Sequence, residues 1–424
     1  MKKTISLILT LVLCLSLCAC GGNDANNIVE EASTQPTETT ALEESIPTPA
    51  WQAQQAVDEF GDPVPNGDPV VSSVFTGNFS NTATTESDLI VGVYINKNAD
   101  TQHYYVGFRL WEYGDNPITY LSSDEESITL KIKVGDLIEE FELIGSAPSG
   151  DLILAQGDAP GVNFAGDYLF DLLHHGIDVR CIINIGSSKY NFTIPSENFV
   201  HACIDAGFTP EEWLEGRTVT AGTPLLISEF RTAFSNTDEK NTSRFWDYFY
   251  NEDGLLMKAI STHYLDGTIT YSYDDSGKLI SSETQTGWMG VESDGNTCII
   301  FTEYNEYGNP TKETTTYRCP ENWPRKDGEV EVTTYEYEYN EDGTVKSQKP
   351  YVDGELSWRW YSYTYEYDAA GQLVSAETQY HEDDYVGTIK TLYTYDEQGN
   401  LIFEKTIDPD DNTLRETIVY GYIY

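Results

Sequence analysis

Near the C-terminus, Asp408, Asp410 and Asn412 stand at the 1, 3, 5 spacing of a calcium-binding loop. The remaining positions break the pattern. Thr413 holds the place of the turn glycine, and Val419 that of the bidentate glutamate, so no cation site is expected there. His174 and His175 are adjacent, so they leave a helix on different sides and are expected to end it favourably against its dipole. No G-x-S-x-G, H-E-x-x-H or Walker loop occurs, and carboxylates are too many for any two to stand out as a glycosidase pair. Cys181, Cys203, Cys298 and Cys319 allow three pairings. The local choices are Cys181 with Cys203 and Cys298 with Cys319, and buried free thiols fit equally well. No cysteine or histidine spacing suggests zinc. The reading is of a chain with no catalytic residues, no metal and no cofactor.

The remaining reactive position is Cys20. Met1-Lys2-Lys3 is a basic start, and Ile5 to Leu17 is an apolar run too short to span a bilayer comfortably. Leu17-Cys18-Ala19-Cys20-Gly21 follows, and it resembles the lipobox of bacterial lipoproteins. That resemblance implies a diacylglyceryl thioether on Cys20 and cleavage after Ala19. Residues 1–19 are then a signal peptide, and the mature protein is held to the extracytoplasmic face of a cell membrane by its lipid. No other segment reaches the length of a transmembrane helix.

Charge narrows the partners. The chain carries 24 basic and 70 acidic residues, a net of −46. Such a surface repels phosphate backbones and anionic lipid headgroups, which excludes nucleic acid as a partner. It suits a solvated extracellular protein facing cations or neutral glycans.

Three regions follow the signal. Residues 20–50, rich in Glu, Thr, Ser, Ala and Pro, read as an extended acidic tether. Residues 51–218 read as a β-sandwich-like domain. Its short strands include Leu89 to Ile95, Tyr104 to Trp111, Ile128 to Val134, Phe141 to Ile144, Asp151 to Leu154, Val179 to Ile185 and Tyr190 to Ile194. Two short helices are expected, Asp167 to His174 and Ser196 to Ala206, the second with Ser196 as N-cap and Gly207 as stop. Residues 225–424 differ in composition: of 30 tyrosines in the chain, 23 lie after residue 240.

A repeat explains the tyrosines. Tyr, then Asp or Asn, two residues, Gly, one residue and an apolar side chain recur six times, beginning at Tyr250, Tyr273, Tyr304, Tyr339, Tyr367 and Tyr395. The repeat glycines are Gly254, Gly277, Gly308, Gly343, Gly371 and Gly399. Asp or Asn opens a turn by accepting a hydrogen bond from the backbone two residues on. Glycine then takes the left-handed conformation that closes a type I turn with a G1 bulge. Each copy is one β-hairpin, and six give about twelve strands of an antiparallel meander. The pattern resembles the YD repeat of Rhs-family proteins over nearly half the chain. Those proteins use many more repeats to enclose a C-terminal toxin. Here the repeats reach the last residue given, so the resemblance implies a fold rather than toxin delivery. MORN repeats, whose Tyr-x-Gly step does not recur in the six copies, fit less well.

Strand alternation sorts the faces. Tyr335, Tyr337 and Tyr339 point one way, with Glu336 and Glu338 opposed. Tyr361, Tyr363, Tyr365 and Tyr367 share a face against Ser362, Thr364 and Glu366. Either the sheet curls so that the tyrosines form its core, or part of the aromatic face stays open as a ligand platform. The expected function is a non-enzymatic, lipid-anchored surface protein that binds a glycan or a surface protein through this sheet. An interaction module of an envelope assembly is the alternative, and an extracellular hydrolase with its site in residues 51–218 stands third.

Overall fold

A computed structural model describes residues 51–55, 69–98, 101–113, 116–118, 128–146, 150–154, 165–217, 224–234, 240–261, 267–287, 297–318, 326–382 and 385–423. The expected signal peptide, Cys20 and the expected tether lie outside these residues. The chain is mainly β, with two sheets that follow one another in sequence.

The first sheet holds β1 (Gln52–Gln55), β2 (Pro69–Ser80), β3 (Ser87–Lys97), β4 (Tyr104–Glu112) and β5 (Asn116–Pro117). It continues with β6 (Ile128–Val134), β7 (Leu137–Ser146), β8 (Asp151–Leu154), β9 (Val179–Ile185) and β10 (Ser188–Ile194). Helix α1 (Ala165–His174) enters between β8 and β9, and α2 (Phe199–Asp205) follows β10. Pairing runs β2-β10-β9-β6-β7-β8-β4-β3 and returns to β2, so the ring closes with eight strands. This corrects the expected sandwich. The cause is the length of β2, which offers one edge to β3 over Val70–Phe79 and the other to β1 and then to β10 over Gly77–Ser80. A sandwich and a barrel share the same local alternation, and only this non-local pairing separates them.

An interior of eight strands is just wide enough to be filled by side chains. Here it is filled by alternate residues such as Val91, Phe108, Leu130 and Ile183, all of them excluded from solvent. Leu169 and Leu172 of α1 and Phe199 of α2 belong to the same cluster. Ser196 does not cap α2. Its N–H and hydroxyl both donate to Asp178, at 2.8 and 2.9 Å, and Asn198 in the left-handed conformation takes the cap position. Gly207 ends that helical turn at φ +72°. Cys181 and Cys203 are separate buried thiols, so the local disulfide between them does not form. Cys319 is outside the described residues.

The second sheet opens with β11 (Leu225–Phe234), β12 (Lys240–Tyr250), β13 (Leu256–Ser261), β14 (Thr268–Tyr273) and β15 (Leu279–Gly287). Next come β16 (Thr297–Tyr304), β17 (Pro310–Arg318), β18 (Val330–Tyr339), β19 (Val345–Val352) and β20 (Glu355–Leu356). It ends with β21 (Arg359–Tyr367), β22 (Leu373–Glu382), β23 (Tyr385–Tyr395), β24 (Leu401–Ile407) and β25 (Leu414–Ile423). It is antiparallel throughout. The first strand pairs with the last, β11 with β25, while β18 and β19 join its other ends. Setting aside the short β20, fourteen of its 15 strands make a second closed ring.

The two rings touch side to side. Ser228 donates to His175 O at 2.6 Å, Tyr422 N–H to Gly176 O at 3.2 Å, and Lys405 pairs with Asp136 at 2.6 Å. Gly421 sits against this contact. A Cβ there would stand 1.9 Å from His175 O, so only glycine fits. Ser228, Phe245, Asp247, Phe403 and Lys405 share one face of their strands by register. That face is the outer wall of the large ring, because a neighbouring barrel lies against it.

Candidate functional site

Register then fixes the other face. Starting from Glu229 opposite Trp246 and Tyr420, each cross-strand pair carries the same face to the next strand. Followed around the ring, the inward face takes Tyr248, Tyr271, Glu313, Tyr335, Gln348, Tyr361, Tyr393 and Glu404. The seven tyrosines of the expected platform, Tyr335, Tyr337, Tyr339, Tyr361, Tyr363, Tyr365 and Tyr367, all lie on it. The aromatic sheet is therefore neither a flat platform nor a dry core but the inside wall of a closed ring. Tyr335 through Tyr365 are half-buried, and Tyr367 at the rim is 46% exposed.

Their hydroxyls are held. Tyr335 donates to Glu313 at 2.5 Å. Gln348 bridges two rings, its Nε2 donating to Tyr337 at 3.1 Å and its Oε1 accepting from Tyr363 at 2.9 Å. Rings two residues apart stand 6.4 Å (Tyr335–Tyr337), 5.9 Å (Tyr337–Tyr339) and 6.5 Å (Tyr363–Tyr365) between centroids.

A second set of hydroxyls ties hairpin to hairpin near the repeat turns. Tyr250 donates to Leu226 O, Tyr273 to Leu256 O, Tyr365 to Val345 O, Tyr395 to Leu373 O and Tyr422 to Leu401 O, all at 2.7–3.0 Å. At the two remaining junctions Tyr304 meets Ser282 Oγ at 2.8 Å, and Tyr339 accepts from Asn305 and Asn309. All seven junctions of the ring thus carry one tyrosine staple. The turn residues sit where the staples need them. Gly254, Gly277, Gly308, Gly343, Gly371 and Gly399 have φ between +77° and +89°. In the turn of Gly371, Asp368 Oδ1 accepts the N–H groups of Ala370 and Gln372.

Beneath β11, β24 and β25 the inner wall is charged and closed. Glu229, fully buried, holds Arg231 at 2.6 Å. Tyr420 donates to Glu404, whose carboxyl is pushed up to about 7, chiefly by burial and further by the charge of Glu229. Burial likewise raises Glu313. At the rim opposite the repeat turns, Arg359 pairs with Glu382 and lies 4.5 Å from the Trp358 ring and 5.0 Å from that of Tyr380. Trp358 and Tyr385 are more than half exposed there.

Over β21, β22 and β23 the outer wall is mostly polar. Ser362, Thr364, Glu366, Glu377, Thr388 and Lys390 face outward, with Lys390 reaching Glu366 at 3.4 Å. Phe301, Val330 and Val386 are exposed apolar residues on the same face. A barrel spanning a bilayer has the reverse polarity, and a charge at its lipid-facing midplane costs roughly 2–4 kcal/mol. The charged positions of β21, β22 and β23 have the polarity of a wall in contact with water.

Between the rings lies a second charged group. Arg217, 2% exposed, lies between the Trp213 and Phe249 rings, at 3.7 and 4.3 Å, and donates to Asp247 at 3.0 Å. His175 donates from Nδ1 to Asp171 O and meets Asp247 through Nε2 at 3.3 Å. Burial pulls His175 down, but Asp247 and Asp171 outweigh it and raise its pKa. Burial holds His174 down at about 3, so it is neutral and bonds Thr209. The helix-dipole role expected of His174 therefore fails, because a neutral ring gives the dipole no charge to meet.

The acidic spacing at Asp408 serves a turn. Asp408 accepts from the Asp410 N–H and pairs with Arg415 at 2.8 Å. Among the described residues no group of His, Cys, Asp and Glu is arranged to hold a metal, and no helix is long and apolar enough to cross a membrane. Gln348, Glu313, Glu404 and the Glu229–Arg231 pair were missed by sequence reasoning. A Glu and an Arg two residues apart inside the apolar run from Leu225 to Phe234 were the one local signal.

No family model matches the chain, and no curated protein matches it. Among solved structures it is similar to porin-like proteins from Bacteroides vulgatus and Bacteroides uniformis, at 11% identity in each case. The match covers 46% of this chain and 97% of theirs, with TM-scores of 0.30 and 0.26. A likeness this weak says nothing of what the chain does.

Proposed function

We propose that this is a lipid-anchored, extracytoplasmic and non-catalytic protein whose large barrel binds a glycan on its inner wall. The observation that carries the reading is the set of partly exposed tyrosine rings on that wall, with the hydroxyls of Tyr335, Tyr337, Tyr363 and Tyr365 already fixed by Glu313, Gln348 and a backbone carbonyl. Fixed rings lose little freedom on binding, so their faces are ready to stack. A folded protein partner cannot reach an inward wall, whereas a slender chain can. The charged outer wall of β21, β22 and β23 leaves the lipid on Cys20 as the membrane attachment. The staples favour a second reading, a rigid spacer in an envelope assembly.

Two measurements test the proposal. Mass spectrometry of the mature protein should find a diacylglyceryl cysteine at Cys20, and an unmodified thiol there removes the anchor. A glycan array probed with the full lipid-free chain should give a ligand, and silence across the array leaves only the spacer reading.

A further inference from the structure

We infer that the ligand is a linear, uncharged oligosaccharide several sugars long, lying along β18, β19 and β21 and entering past Trp358 and Tyr385. This rests on the glycan reading above and specifies its site and ligand class. Three observations point to a linear chain. First, the half-exposed rings form a track rather than a single pocket. Tyr335, Tyr337 and Tyr339 follow β18, and Tyr361, Tyr363, Tyr365 and Tyr367 follow β21, with neighbours 5.9–6.5 Å apart where rings meet. A row of rings at near-even spacing, each leaving part of its edge and hydroxyl toward the interior, matches a polymer with a repeating unit.

Second, the two rows are coupled through one residue. β19 contributes Gln348, paired in register with Tyr337 on one side and Tyr361 on the other. Its amide takes a hydrogen bond from Tyr363 and gives one to Tyr337, so both rows keep their tilt without a ligand. Third, two arginines of this wall are paired, and Glu331 and Glu416, which share the face by register, add only negative charge. Arg231 is paired with Glu229 and Arg359 with Glu382, while burial raises Glu313 and Glu404 toward their neutral forms. An anionic chain finds no free cation in these groups, and a neutral chain meets donors and acceptors without having to strip a charge of water. At the rim away from the repeat turns, Trp358 (53% exposed), Tyr385 (57%) and the Arg359–Glu382 pair offer the first surface a chain would touch.

The experiment is calorimetric titration of the full lipid-free protein with β-1,4-glucose oligomers from dimer to hexamer, with a polyuronate of equal length beside them. Affinity should rise at least about tenfold from dimer to hexamer, and the polyuronate should not bind. Tyr363→Ala should lower hexamer affinity about tenfold. Tyr363→Phe, which keeps the ring but loses its bond to Gln348, should lower affinity less than Tyr363→Ala does, and Trp360→Ala on the outer wall should change nothing. Circular dichroism melts of each variant separate lost binding from lost folding. Binding that is independent of length, or that survives Tyr363→Ala but falls with Trp360→Ala, overturns the track while leaving a glycan function standing. Absence of binding to every oligomer, with an array also silent, overturns both.

Discussion

The two rings are made of the same element, an antiparallel strand with alternating faces, yet their interiors are opposites. The eight-stranded ring is lined by Val, Leu, Ile and Phe excluded from solvent. The fourteen-stranded ring is lined by polar residues and small apolar ones, with tyrosine the commonest, many of the rings partly exposed. Barrel diameter grows roughly with strand number, so side chains that fill the smaller ring cannot meet across the larger one. A wider wall needs side chains that tolerate both an apolar neighbour and water, and tyrosine has a polar tip for the purpose. Strand number thus dictates composition: the dry ring stabilises by burial, the wet one by hydroxyls tied to the wall.

The largest effect should come from breaking the dry side. Phe108→Ala removes a fully buried ring and should cost about 3–5 kcal/mol. Tyr363→Ala, which loses a half-buried ring and one hydrogen bond, should cost about 1–2 kcal/mol. Denaturant unfolding of both variants checks this, and equal losses would mean that the large ring is packed as tightly as the small one. Next is the joint between the rings. Arg217→Ala removes the buried guanidinium between the Trp213 and Phe249 rings, leaves Asp247 to His175 alone, and should cost about 3 kcal/mol, splitting one calorimetric transition into two. A single undivided transition would show that Ser228, Gly421 and Lys405 suffice to couple the rings.

Protonation should also tell the two apart. His174, in the small ring's helix, is held neutral at about 3 against an ordinary 6.5. Its depressed value means the unfolded chain binds the proton first. Stability is therefore lost as pH falls from about 6.5 toward 3. Glu404, in the large ring, is raised from 4.5 to about 7, so its unfolded form releases the proton first. Stability is lost as pH rises from about 4.5 through 7. Each shift is worth up to a few kcal/mol. Unfolding measured at pH 4, 6 and 8 should show Glu404→Gln removing much of the loss between pH 6 and 8 and leaving the loss below pH 6 in place. An unchanged alkaline slope would remove Glu404 as its source.

Legibility divides along the same physical line. Strand content and the mainly β class can be read from alternation such as Ile128 to Val134, because period-two burial is local. Closure cannot be read so. It depends on β2 reaching β10 and on β11 meeting β25, pairings between segments far apart in sequence. Gln348 was invisible for the same reason: nothing near it in the chain names Tyr337 and Tyr363 as its partners. His174 misled because its environment is Thr209 and Trp213, more than 30 residues on. Ser196 misled because Asp178 competes for its hydroxyl.

The smallest expected effect addresses what holds the wet ring closed. Tyr365→Phe keeps the ring and removes the hydrogen bond to Val345 O, at about 0.5–1.5 kcal/mol. Tyr273→Phe and Tyr395→Phe remove equivalent staples at other junctions, to Leu256 O and Leu373 O. None of the three shares a partner with another, so independent staples should add within about 0.5 kcal/mol. Chemical unfolding of the triple variant decides between two ways of closing a ring. A loss equal to the sum makes each staple a local repair of one hairpin junction. A loss well beyond the sum makes closure a single cooperative act, in which opening one junction exposes strand edges that the remaining tyrosines no longer hold.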